Sequence, residues 1–113
     1  MLEKLRKRYV IAALRKASLW WPERTKAKGL ARVDRGLYRC AICMELFGPK
    51  EIQLDHIAPI VPETGWDGFG NYIRRLFCAA EELQVLCRRC HGKKTKSEKS
   101  SRAKARTRNT KDN

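Results

Sequence analysis

A chain of 113 residues has room for one small domain, and a core of that size is marginal without a staple such as a metal. It carries 26 Lys and Arg against 12 Asp and Glu, a formal net charge of +14, and that balance points to a polyanionic partner, most simply nucleic acid. No apolar stretch is long enough for a membrane span or a signal peptide, so the expectation is a cytoplasmic protein with no membrane partner and with reduced thiols.

The charge is unevenly spread. Residues 1–39 carry 12 basic and 3 acidic residues, residues 92–113 carry 9 and 2, and residues 40–91 carry 5 and 7. An acidic, cysteine-bearing centre therefore lies between two cationic arms. Metal cations need the first and phosphates the second.

In chain order, residues 2–19 are predicted to be a helix, with Leu2, Leu5, Tyr9, Ala12 or Ala13, and Leu19 at roughly helical spacing. Trp20-Trp21-Pro22 stops it, because a residue before proline disfavours the helical region, and the two tryptophans are expected to pack the helix end onto the core. Residues 23–35 read as a basic connector with a short helix around 26–33, broken by Gly36. Leu37-Tyr38-Arg39 reads as a short strand entering the first cysteine pair. Phe47-Gly48-Pro49-Lys50 follows as a turn, and residues 51–55 as the second strand of a hairpin. Alternation in that strand puts Ile52 and Leu54 on one face and Asp55 on the other.

Residues 57–62 form a proline-stiffened loop and 65–70 a glycine-rich, mobile one. A short helix is expected over 71–77, with Tyr72, Ile73 and Leu76 apolar. A last helix should start at Cys87, carry His91 on its first turn and run to about Lys96. The segments are thus a basic N-terminal helix and connector (1–36), a central α+β domain (37–98) and a basic tail (99–113). The tail has almost nothing apolar to offset its ordering entropy and is expected to be disordered.

Of the five cysteines, four form two C-x-x-C pairs, Cys40-Ala41-Ile42-Cys43 and Cys87-Arg88-Arg89-Cys90. Each C-x-x-C turn offers two sulfurs to one ion, and two turns complete a tetrahedron, so Cys40, Cys43, Cys87 and Cys90 are expected to hold a structural Zn²⁺. Four thiolates leave no open position for chemistry. Cys78 is expected to be a small buried apolar residue.

Asp55-His56 at a strand end, followed by Pro59, and then Leu86-Cys87-Arg88-Arg89-Cys90-His91-Gly92-Lys93-Lys94-Thr95, resembles the zinc-bearing form of the HNH endonuclease family over about residues 37–96. The resemblance implies a ββα-metal (His-Me finger) fold for the 37–98 domain and a DNA phosphodiesterase activity. By position, His56 takes the place of the general base, and Asp55 and His91 those of ligands to a catalytic divalent cation, Mg²⁺, Mn²⁺ or similar. Hydrolysis of a phosphodiester asks for these types: a base near neutral pKa, and a cation held by a carboxylate and an imidazole to offset charge on the leaving oxygen. Family members usually carry Asn where this chain has Glu82. Glu82 joins His56 as a catalytic candidate, able to accept hydrogen bonds from the loop that orients the base or to coordinate the ion, but unable to donate when ionised.

Arg88, Arg89, Lys93, Lys94 and Lys96 surround the start of the last helix, where cations and free backbone N–H groups suit phosphates. The partner expected is DNA. Small free-standing proteins of the family are frequent in bacteriophages, where they assist DNA packaging or recombination. Two other readings stay open at the level of sequence. One is a catalytically silent zinc module that binds nucleic acid, and the other a resolvase of branched DNA.

Overall fold

The computed structural model describes the backbone of residues 1–111 and the side chains of residues 1–104. It is a small α+β structure with four helices and two small antiparallel sheets.

Helix α1 (Leu2–Ser18) has Glu3 in its first turn and Arg15 and Lys16 in its last, each matched in sign to the helix dipole. Its inward face is Lys7, Ile11, Leu14 and Ser18, and the Lys7 ammonium lies 4.2 Å from the centre of the Trp66 ring. The residues at helical spacing in the sequence do not supply that face: Leu2, Leu5, Tyr9 and Leu19 are exposed. Apolar residues lie on more than one side of this helix, so spacing alone could not choose the packed face.

Trp21 is extended ahead of Pro22, and Pro22 starts a second helix, α2 (Pro22–Ala31), as proline does well in a first turn. This helix begins four residues earlier than expected for the connector. The paired tryptophans part company. The Trp21 indole donates to the Cys78 carbonyl at 2.7 Å and meets the Phe77 ring edge-on at 5.5 Å, whereas Trp20 is 84% exposed.

Strands β1 (Arg32–Asp34), β2 (Leu37–Arg39) and β3 (Leu46–Phe47) form the first sheet in that order. Gly36, at φ +70°, turns β1 into β2 in the left-handed region that only glycine occupies freely. The first cysteine pair caps the β2–β3 ribbon. Cys40 N–H donates to Glu45 O, Met44 N–H to Cys40 O, and Ala41 N–H to Val85 O, which ties this knuckle to the second sheet.

The second sheet pairs β4 (Ile52–His56) with β5 (Leu83–Cys87), in a register that sets Ile52 opposite Cys87, Asp55 opposite Gln84 and His56 opposite Leu83. The expected hairpin partner of β4 was the 37–39 strand, and the structure corrects this. A 3₁₀ turn (Pro49–Glu51) replaces the tight turn, and β3 takes the free edge of β2. The sheet carries two apolar clusters. Leu54 and Leu83 pack with Ala27, Cys78 and Ala80, while Leu86, Cys87 and Cys90 pack with Cys40, Cys43 and Phe47. Cys78 is buried in the first cluster, as expected of a small apolar residue.

Between β4 and β5 runs helix α3 (Phe69–Leu76), which buries Tyr72 and Leu76. The glycine-rich approach to it is tied down. Asp67 receives both Arg75 guanidinium nitrogens at 2.8 and 2.7 Å, and Trp66 packs against Phe69 and Tyr72. Helix α4 (Arg88–Lys111) follows β5 without a loop. It continues through most of the 99–113 segment expected to be disordered; residues 112–113 lie outside the described residues. After Gly92 the chain has neither Gly nor Pro, and its Lys, Arg and Ala are good helix formers, so local propensity carries the helix where a core does not.

Candidate metal centre and nucleic-acid face

The turn between β2 and β3 and the junction of β5 with α4 deliver the two C-x-x-C pairs to one point. The four sulfurs of Cys40, Cys43, Cys87 and Cys90 lie within 4.8 Å of one another. A tetrahedral zinc with bonds of about 2.3 Å would space them about 3.8 Å apart, so a small contraction suffices. The cluster can hold a structural metal such as zinc.

Its electrostatics ask for a cation. Burial pushes the Cys40 thiol up, but backbone N–H groups about Cys87, Cys43 and Ile42 outweigh it and bring the thiol to about 6. Cys90 is pushed up to about 12, first by the Cys87 sulfur beside it and then by burial. Cys43 is drawn down by the Glu45 backbone, yet burial and the Cys40 sulfur carry it above the ordinary thiol value. One thiolate forms readily and then opposes the next. A bound cation would offset that opposition and favour thiolates at Cys40, Cys43 and Cys90 together.

The second cluster sits where β4 ends against α4. Asp55 Oδ1 lies 3.7 Å from His91 Nε2. Two donors each about 2.1 Å from one ion can stand up to about 4.2 Å apart, and this pair lies within that limit. The other carboxylate oxygen, Asp55 Oδ2, accepts from Gln84 at 3.2 Å and from the Lys94 ammonium at 2.9 Å. Lys94 also donates to His56 O at 2.9 Å and to the Glu98 carboxylate. Burial pushes the Lys94 ammonium toward neutrality, but Glu98 and Asp55 more than offset it and raise its pKa.

His56 does not join that pair: among the described residues, the four cysteines are the group of three or more candidate ligands close enough to share an ion. Its Nε2 lies 3.2 Å from Leu76 O, and the ring faces a cleft of about 290 Å³ lined also by Ile57, Arg75 and Glu82. Glu82 is exposed. Its carboxylate accepts from Ala79 N–H at 3.1 Å within its own 3₁₀ turn, and its backbone oxygen catches Ile57 N–H at 3.0 Å. The loop after His56 is thus held by the Glu82 main chain rather than by its side chain.

Of the basic residues singled out for phosphate, Arg89, Lys93 and Lys96 are exposed at helical spacing along α4. Arg89 and Lys93 border a groove of about 660 Å³ that also exposes Ile42 and Cys43. Arg88 is exposed and donates to Lys50 O at 2.9 Å. Lys94 is turned inward. Gln84 and Glu98 were missed in the sequence. Gln84 is the one polar residue in the run Leu83–Cys87, and Glu98 stands four residues after Lys94, the spacing of a helical ion pair.

Among the described residues no helix is long and apolar enough to cross a membrane. Comparison with protein-family models, curated proteins and solved structures finds no match.

Proposed function

We propose that the protein is a divalent-metal-dependent endonuclease that hydrolyses DNA phosphodiester bonds, with Asp55 and His91 as metal ligands and His56 as general base. The observation that carries the reading is the approach of Asp55 Oδ1 to His91 Nε2, 3.7 Å apart on two different elements. The antiparallel pair β4–β5 leading straight into α4 is in keeping with the ββα-metal core of the HNH family that the sequence resembles. A divalent ion on Asp55 and His91 would offset charge on the phosphate and on the leaving 3′ oxygen. Because a carbonyl oxygen only accepts, the contact with Leu76 O puts the proton on His56 Nε2 and leaves Nδ1 free to take a proton from water. Exposed Arg89, Lys93 and Lys96 supply phosphate contacts along α4.

A second reading, a silent zinc module that binds nucleic acid, draws on the Lys94 ammonium at Asp55 and on Glu82, whose side chain is engaged within its own turn. One experiment separates the two. Supercoiled plasmid incubated with the protein and Mg²⁺, Mn²⁺ or Ni²⁺ should be nicked or linearised, and His56→Ala should suppress this. If wild type leaves plasmid, single-stranded and branched DNA intact while still binding them, the binding module is the correct reading.

A further inference from the structure

Lys94 sits in a cradle made for a cation. Its Nζ has Asp55 Oδ2 at 2.9 Å, His56 O at 2.9 Å and the Glu98 carboxylate in hydrogen-bond contact. Three N–H donors meet three oxygens, and the side chain is only 17% exposed. Two carboxylates converging on a partly buried point would repel each other with nothing between them. The ammonium removes that repulsion. It lies on Oδ2 of Asp55, whereas Oδ1 is the oxygen 3.7 Å from His91 Nε2.

We infer that Lys94 is the resident counter-cation of the Asp55 site, holding the carboxylate in place while no divalent ion is bound, and competing with that ion for Asp55 when it arrives. The inference rests on the metal site proposed above. A divalent ion on Oδ1 and a lysine on Oδ2 of one carboxylate are repelling cations a few ångströms apart. Glu98 gives Lys94 somewhere to go. It lies four residues on in the same helix and already shares the ammonium, so a flexible four-carbon stem can shift its weight from Asp55 to Glu98 without unpairing. Lys94 is therefore a positioning residue rather than a phosphate ligand. The alternative, that it is only structural glue, makes the opposite prediction for its removal.

The test is calorimetric titration of Mn²⁺ into the zinc-loaded full chain, with zinc content and melting temperature measured for every variant. Lys94→Met should bind Mn²⁺ about tenfold tighter or more at low salt, and the gain should shrink as salt screens the competing charge. Lys94→Arg keeps the charge and should stay near wild type. Glu98→Gln leaves Lys94 to rest on Asp55 and should bind Mn²⁺ more weakly than wild type. Equal or weaker binding by a folded Lys94→Met overturns the inference while the metal site stands. If Lys94→Met does not fold, equal or tighter binding by Glu98→Gln overturns it instead. Absence of Mn²⁺ binding in wild type and in every folded variant overturns the metal site itself.

Discussion

His56 and the cysteines show how much single atoms decide. His56 Nε2 lies 3.2 Å from the Leu76 carbonyl, a contact that would hold the ring of the proposed base in one tautomer and one rotation. Removing the ring should lower cleavage by roughly 10²–10⁴-fold, the range for losing a general base, and leave DNA affinity nearly intact. Asp55→Ala and His91→Ala should fail differently. Their cleavage should partly recover as the divalent ion concentration is raised, because they lose affinity for the ion. Paired titrations of plasmid nicking against metal concentration distinguish the two patterns. At the cysteines, protein purified without added metal should carry about one zinc per chain, and Cys90→Ala should be largely unfolded. The sign of the pH dependence follows from the thiols. At pH 7.5 Cys40, near 6, is already ionised, while Cys43 and Cys90 are raised and still carry protons. Zinc loading must then expel protons from at least Cys43 and Cys90. Below pH 6 Cys40 adds its own, so zinc affinity should fall still more steeply there. Calorimetry in buffers of different ionisation enthalpy counts these protons.

Among the elements, α2 is docked by a side chain the sequence could not single out. Trp20 and Trp21 are adjacent and alike, but only Trp21 reaches Cys78 O. Trp21→Phe leaves that carbonyl without its indole donor and should cost about 1–3 kcal/mol in urea denaturation of the zinc-loaded protein. Trp20→Ala should stay within about 0.5 kcal/mol, as exposed substitutions do. The same contrast runs through the whole fold. Motifs were legible where covalent spacing dictates geometry: the C-x-x-C pairs, Gly36 at its turn, Pro22 ending one helix, and His91 on the first turn of the last. Long-range pairing was not. β5 is a nearly continuous apolar run without alternation, so Leu83–Cys87 gave no strand period and β4 was assigned the wrong partner. In the candidate site, Asp55 and His91 were legible as a motif. Gln84 was hidden because its role exists only once β5 lies beside β4. Glu98 had a local signal, four residues after Lys94, but its link to Asp55 through Lys94 exists only once α4 crosses the end of β4.

At the scale of the molecule, two cationic arms flank an acidic centre, and the C-terminal arm is an extension of α4, the helix that carries His91. This helix spans about 36 Å at 1.5 Å per residue, so its far charges lie well beyond Asp55 and His91 and, on the proposed function, would add reach rather than chemistry. Removing the residues after Ser100 deletes Arg102, Lys104, Arg106, Arg108 and Lys111 and no large apolar residue. The truncated protein should therefore keep its zinc and its melting temperature. It should bind every DNA duplex more weakly and by a similar factor, because phosphate binding carries no sequence information. The slope of log affinity against log salt should flatten by about 0.9 for each phosphate that is no longer neutralised, since fewer counterions are released. Cleavage measured at saturating DNA should be unchanged, because Asp55, His56 and His91 are untouched. Binding isotherms on several unrelated duplexes over a range of salt, with single-turnover cleavage alongside, measure all three. A truncation that weakened one duplex far more than the others would mean that α4 reads bases beyond Ser100, and the arm would then be a recognition helix rather than an electrostatic one.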